Sequence, residues 1–303
     1  MFLQHCTETV RNTNAAVCQA AEYWPRNPFV TESPSIGGAG FDVAWNDGFR
    51  ESVRAAIASA SGGENAFVDL DWVAREIVNP GFRDGWRAVN CLESHDEIYR
   101  DREPRVARLA DSSNSRSWYA RSRSRVGAAL VLTSPGMPML FMGQEILEDK
   151  NWSDDPAHHP NTLIWWDGSS RGEQTMIDMH RCVRDLVGLR RSSEALRYGK
   201  TRVFHVDLPG RVIAFHRWVE GIGADVVVVA SLRDRTHYDY RIGLPRAGAW
   251  RELFNTDVYD HWVNPRVAGN GGLIVTTCRS GQGFAQSAAL VVPANAVLVL
   301  MRA

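Results

Sequence analysis

Apolar residues along the first two thirds of the chain fall into two spacings. Short continuous runs at 16–23, 40–45, 86–92 and 138–142 alternate with stretches in which apolar side chains recur every three or four positions. The runs predict buried strands and the periodic stretches predict helices. One helix follows Asp47 as its cap, carries Phe49, Val53 and Ile57 on one face and stops at Gly62-Gly63. A second, over about 64–78, places Phe67, Leu70, Val73 and Ile77 at helical spacing and ends at Asn79-Pro80-Gly81. Two more are expected over about 117–132 and 176–191, and residues 2–12 read as a helix end. The polar stretch 100–115 is expected to be a long loop. Strands alternating with helices in this way predict a parallel α/β sheet of four strands.

Beyond about residue 198 the helical spacing disappears. Eight short runs, 202–206, 211–218, 225–232, 238–242, 250–254, 273–277, 289–292 and 296–301, are separated by Gly- and Asp-containing turns. They predict an antiparallel β-sandwich and hence two domains, 1–196 and 197–303.

Composition narrows the function classes. Of 303 residues, 34 are Lys or Arg and 35 are Asp or Glu, a net charge of −1 that gives no general pull toward nucleic acid or an anionic membrane. An uncharged partner is expected. Five scattered cysteines, with no CxxC or Cys/His ligand spacing, suggest neither a disulfide framework nor a zinc site. No apolar stretch approaches the ~18 residues of a membrane span, and a cytoplasmic, reduced protein is the expectation.

Three segments at or just after predicted strands hold candidate chemistry, the place where α/β barrels put reacting groups. In Ala21-Glu22-Tyr23-Trp24-Pro25 a carboxylate sits between aromatics at a strand end. Desolvation there would favour its neutral form, as a general acid needs, and pairing with an arginine is the alternative. Glu93-Ser94-His95-Asp96-Glu97 sets three carboxylates around one histidine, more like charge than packing calls for. Gln144 and Glu145 would stand at the mouth of the strand running from Pro138.

In this order, AEYWP (21–25), GGAGFDVAWNDG (37–48), LESHDE (92–97) and PGMPMLFMGQE (135–145) resemble the α-amylase family of retaining α-glucan enzymes. GFDVAWNDG and LESHDE are closer to 1,4-α-glucan branching enzymes and their amylase-like relatives than to secreted amylases. The resemblance implies the C-terminal half (strands five to eight) of a (β/α)8 barrel, followed by that group's all-β C-terminal domain. It implies Glu22 as general acid/base, Asp96 as the carboxylate that stabilises the transition state, and His95 on a sugar hydroxyl. Tyr23, Trp24, Trp45, Gln144 and Glu145 join them as expected substrate-binding positions. The family's nucleophile, an Asp on the fourth barrel strand, has no match ahead of the first strand here. The expected partners are therefore an α-glucan and a source for the first half of the barrel, with self-association through open barrel edges. No cofactor or metal is expected. A truncated product, a fragment and one half of a two-chain enzyme all fit; the chain alone is expected to be inactive, and a non-catalytic α-glucan-binding remnant is the alternative function.

The remaining motifs take ordinary readings. Arg116–Arg125, rich in Arg and Ser, opens an apolar helix, and its charges are expected on a solvated face rather than on RNA. His158-His159 beside Asp154-Asp155 is expected in a polar loop lining the glucan cleft rather than around a metal. Trp152, Trp165 and Trp166, in the same loop, suit stacking on sugar rings or packing beneath it.

Overall fold

The computed structural model describes residues 2–100 and 102–303; Asp101, within the predicted 100–115 loop, lies outside them. The first part runs α1 (Phe2–Thr13), β1 (Ala20–Ala21), β2 (Val43–Trp45), α2 (Asp47–Ser61), α3 (Leu70–Ile77), β3 (Ala88–Asn90), α4 (Val106–Ala110), α5 (Trp118–Thr133), β4 (Met137–Pro138), α6 (Trp166–Ser170), α7 (Gln174–Ser192) and α8 (Glu194–Tyr198). The four strands pair in parallel in chain order, with Ala20 opposite Val43, Ala44 opposite Ala88 and Val89 opposite Met137. Ladder pairing covers only two or three residues of each strand, less than the apolar runs predict. Residues 16–19 and 139–142 continue two of those runs outside the sheet.

Local chemistry sets the helix ends. Asn46, not Asp47, occupies the N-cap of α2, and Asp47 lies in its first turn. Asp69 caps α3 by accepting from Trp72 N (2.9 Å), so this helix starts later than periodicity suggests and leaves Phe67 exposed. Ser117 caps α5 by accepting from Ala120 N at 3.1 Å. The 100–115 stretch is not wholly loop: Val106, Ala107 and Ala110 are buried along one face of α4. Ahead of β4, Gly136 has a φ of +104°, and a Cβ there would stand 2.8 Å from Ala88 O, so the 135–136 turn needs glycine to lie against β3.

The second part is β5 (Lys200–Asp207), β6 (Val212–Val219), β7 (Ala224–Ser231), β8 (His237–Leu244), β9 (Ala249–Asn255), β10 (Leu273–Val275), β11 (Gln286–Val292) and β12 (Val297–Arg302). All eight predicted strands are present. They form an antiparallel six-stranded sheet, β10-β9-β12-β7-β6-β5, and an antiparallel pair, β11-β8.

The period-two alternation of the central strands explains how the molecule is layered. Val212, Ala214, Val227, Val229, Leu298 and Leu300 face the β8/β11 pair, packing on Ile242, Leu244, Leu290 and Val292. Their neighbours Ile213, Phe215, Val226, Val228, Val297 and Val299 point the other way, into a core shared with Phe49, Val53 and Ile57 of α2 and with Val126 and Leu130 of α5. The large sheet is therefore buried on both faces, by a second sheet on one side and by helices on the other.

This layering corrects the reading of the Arg/Ser-rich segment. Within α5, Arg123 and Arg125 are buried. Arg123 donates to Ala110 O (2.8 Å) and Asp234 (3.0 Å), while Arg121 donates to Asp260 at 2.9 Å. Arg125 lies 3.5 Å from the same Asp260. Their carboxylate partners come from the strand region more than a hundred residues away, which no local window contains.

Candidate active site

The candidate residues lie after the C-terminal ends of the parallel strands, where backbone groups freed from the ladder leave room for loops. Glu22 follows β1 directly, Trp45 closes β2, His95 and Asp96 follow β3, and Gln144 and Glu145 form a 3-10 turn after β4. A carboxylate oxygen of Glu22, a ring nitrogen of His95 and a carboxylate oxygen of Asp96 lie within 4.8 Å of one another. Chain segments more than seventy residues apart thus converge on one point. His95 Nε2 stands 3.5 Å from Asp96 Oδ1.

All three side chains are exposed. Glu22 is therefore not the buried strand-end carboxylate expected from its neighbours, because the ladder ends at Ala21 and the chain turns outward at Tyr23 and Trp24. Nor is it paired with an arginine among the described residues. As a metal ligand set the three are exposed and short of the roughly four or more donors a structural ion takes.

Aromatic rings extend from the cluster in a connected row. Trp24 and Trp45 meet edge to face with centroids 6.2 Å apart, Trp45 and His95 at 6.3 Å, and His95 and Trp152 at 6.5 Å. Trp152 is anchored by its indole Nε1, which donates to His95 O (2.5 Å), and it packs against Tyr99 and Phe141. Of these three tryptophans it alone joins this row; Trp165 and Trp166 stand exposed at the start of α6, as its N-cap and first residue. His158 is tied to Asp155 (2.8 Å) and Asp154 accepts from Tyr99 OH (2.8 Å), so this loop satisfies its own polar groups.

Tyr23 is exposed beside Glu22. Gln144 is buried, and its Oε1 accepts from Phe141 N (3.4 Å) within its own turn. Glu145 is half-buried, and neither residue joins the Glu22–His95–Asp96 cluster.

The other acids of the LESHDE motif do something different. Glu93 is buried against Arg105 (2.7 Å) and accepts from Val106 N (2.7 Å), fastening α4 to the end of β3. Glu97 lies 3.5 Å from Arg50, and burial raises its carboxyl above the usual range despite that cation. Burial likewise pushes Asp47, at the start of α2, up to about 6. Sequence reasoning missed the asparagine network beneath the row. Asn46 Nδ2 donates to Asn79 Oδ1 (2.9 Å) and Asn90 Oδ1 (3.1 Å), and Asn46 Oδ1 accepts from Arg26 (2.8 Å). Only the position of Asn46 just after one apolar run and of Asn90 as a polar residue inside another hinted at it.

A parallel sheet with exposed acids on the loops after its strands thus leads into antiparallel sheets. Residues 205–303 match the alpha amylase C-terminal all-beta domain. Over 99% of its length the chain is 30% identical to the 1,4-alpha-glucan branching enzyme GlgB 2 of Xanthomonas campestris pv. campestris. It is 28% identical to GlgB of Mycobacterium bovis over the same share. It covers 39% of each of these relatives. The crystal structure of the Geobacillus thermoleovorans alpha-amylase complexed with acarbose superposes with a TM-score of 0.69 at 18% identity, over 99% of this chain and 56% of that one. The chain thus resembles 1,4-alpha-glucan branching enzymes along nearly its whole length while spanning well under half of theirs, and its C-terminal part matches the alpha-amylase all-beta domain, in line with the resemblance its motifs carry. No helix among the described residues is long and apolar enough to cross a membrane.

Proposed function

We propose that these residues are the C-terminal part of a retaining α-1,4-glucan-active enzyme of branching-enzyme or α-amylase type. Residues 1–196 would supply strands five to eight of the barrel and residues 197–303 its accessory all-β domain. The observation that carries this reading is the convergence of Glu22, His95 and Asp96 at the strand ends beside a row of aromatic rings. In this role Glu22 protonates the leaving glycosidic oxygen and later deprotonates the incoming hydroxyl, Asp96 offsets the charge of the oxocarbenium-like state, and His95 holds a sugar hydroxyl. The exposure of Glu22 fits a carboxyl that becomes desolvated only when glucan covers it. Tyr23, Trp24 and Trp45 offer faces for pyranose rings, and Glu145 a polar edge.

A retaining reaction also needs a nucleophilic carboxylate. Residues 1–19, which precede β1, contain no aspartate, so the nucleophile comes from outside these 303 residues, in the same polypeptide or in another. The 303-residue chain alone is accordingly expected to bind glucan without cleaving it. Co-expression with the upstream half of a related barrel is the test. Reducing-end release or an iodine-spectrum change on amylose should appear only with both parts and should depend on Glu22 and Asp96. Turnover by the chain alone, well above a Glu22→Gln control, would overturn the assignment of roles.

The outer edges of β1 and β4 are unpaired among the described residues, and Phe2, Leu3, Ile36, Met137 and Met142 are exposed. Self-association through these two open edges follows for the chain alone, and a monodisperse monomer that binds no hydrophobic dye would contradict it.

A further inference from the structure

At the opposite ends of β3 and β4 from the carboxylates, a cleft of about 350 Å³ opens between the helical part and the first two strands of the large sheet. Trp86, Tyr198 and Trp218 line it together with Arg83, Lys200 and Arg217. Arg217 is fully buried; its Nη1 donates to Thr133 O (2.7 Å) and its Nη2 to Gly199 O (3.1 Å), while its Nε is buried with no partner. Directly opposite it in the β5–β6 register, Thr201 Oγ1 is a second buried polar atom with no partner, on the same cleft. Arg190 stands nearby with its guanidinium on the carbonyls of Leu132, Ser134 and Gly136. Burial pushes Arg217 down to about 9 and Arg190 down to about 10, and no carboxylate holds either up.

The α5 C-terminal carbonyls take up part of this positive charge, but Arg217, which lines the cleft, has no acid partner, and neither does Arg190 behind it. The acids at the cleft do not cancel them. Asp84 lies between Arg83 Nε and Arg87 Nε, 3.5 Å from each, and Glu220 holds Lys200 Nζ at 2.6 Å in an exposed pair that a phosphate would have to displace to reach the ammonium. The floor is cationic with unused hydrogen-bonding atoms, and the walls offer half-exposed aromatic rings, Trp86 at 43% and Tyr198 at 52%. A tetrahedral oxyanion suits guanidinium, ammonium and hydroxyl donors converging from several directions. Aromatic faces suit the apolar faces of a pyranose, and the volume is that of a small-ligand site.

We infer that this cleft binds a phosphorylated sugar, with the phosphate over Arg217, Thr201 and Lys200 and the sugar ring against Trp86 and Trp218. The inference stands apart from the carboxylate cluster and from the activity proposed for it. It is tested by titrating the purified 303-residue chain with glucose 6-phosphate, inorganic phosphate and maltose, by calorimetry and tryptophan fluorescence. Glucose 6-phosphate should bind saturably at one site per chain, tighter than inorganic phosphate, and should not be displaced by maltose. Binding should weaken with salt. Lys200→Gln and Trp86→Ala, both at exposed side chains, should each raise Kd about tenfold, the cost of one charge-assisted or stacking contact. Thr201→Val, which keeps the side-chain shape and removes one buried hydroxyl, should weaken binding without unfolding the chain. Absence of saturable binding, equal affinity for inorganic phosphate, displacement by maltose, or affinity unchanged in all three variants would each overturn the assignment.

Discussion

The loops after the parallel strands and the junction between α5 and the six-stranded sheet use charge in opposite ways. At the loops, Glu22, His95 and Asp96 are exposed, brought together by the backbone and held by few side-chain contacts. At the junction, Arg123, Arg125, Arg190 and Arg217 are buried and spend their donors on carbonyls and distant aspartates. Substitution at the loops should therefore cost chemistry and little stability, and substitution at the junction should do the reverse.

The largest effect that tests this contrast comes from cutting the molecule at its change of element type. A 197–303 polypeptide keeps the β8/β11 packing but loses the helical cover over Ile213, Phe215, Val226, Val228 and Val299. It should expose that face, bind a hydrophobic dye and lack a cooperative thermal transition, all measurable by fluorescence and calorimetry. A sharply melting, dye-free monomer would show that the helices are dispensable.

Next come two single substitutions with opposite expected readouts. In the reconstituted enzyme, Glu22→Gln should lower turnover on amylose ~10²–10⁴-fold while leaving thermal stability within about 0.5 kcal/mol. Glu93→Gln, three residues from Asp96, should destabilise the chain by roughly 3–5 kcal/mol, since it strands Arg105 in a buried site. Denaturant unfolding measures the second, and equal losses of stability in the two variants would erase the contrast.

The smallest expected effect is a pH slope. Because burial raises Asp47 to about 6, against 3.8 for an ordinary aspartate, the folded chain binds more protons than the unfolded one between those limits. Its contribution therefore makes stability fall as pH rises from about 4 to about 6. Asp47→Asn should flatten that part of the pH–stability curve and stabilise the chain at neutral pH.

Much of this was legible in the sequence because period and order are local properties. The eight strands after 198 announced themselves through alternation, and the motifs placed Glu22 after the first parallel strand and His95-Asp96 after the third. What sequence could not show is which side of an element is buried. The Arg/Ser-rich opening of α5 looks like a solvated face until Asp234 and Asp260 arrive from the strand region to meet it. Glu93 and Asp96 look equivalent in LESHDE, yet one is locked under α4 and the other is open, a difference set by Arg105 twelve residues on. Glu22 ended up exposed because strand length, read from an apolar run, overshoots the hydrogen-bonded ladder.

The position of β12 has a consequence for the order of events during synthesis. Residues 297–302 lie in the middle of the six-stranded sheet, between β7 and β9, and contribute Val297 and Val299 to one core and Leu298 and Leu300 to the other. Until they leave the ribosome, β7 has one open edge, the path from β9 to the rest of the sheet is missing, and neither core is complete. The chain emerges with its helices made and their cover waiting, and the long separation of the contacts that close it makes this a slow, late step. Ribosome-stalled chains ending before 297 would be the natural clients of chaperones that hold exposed apolar surface.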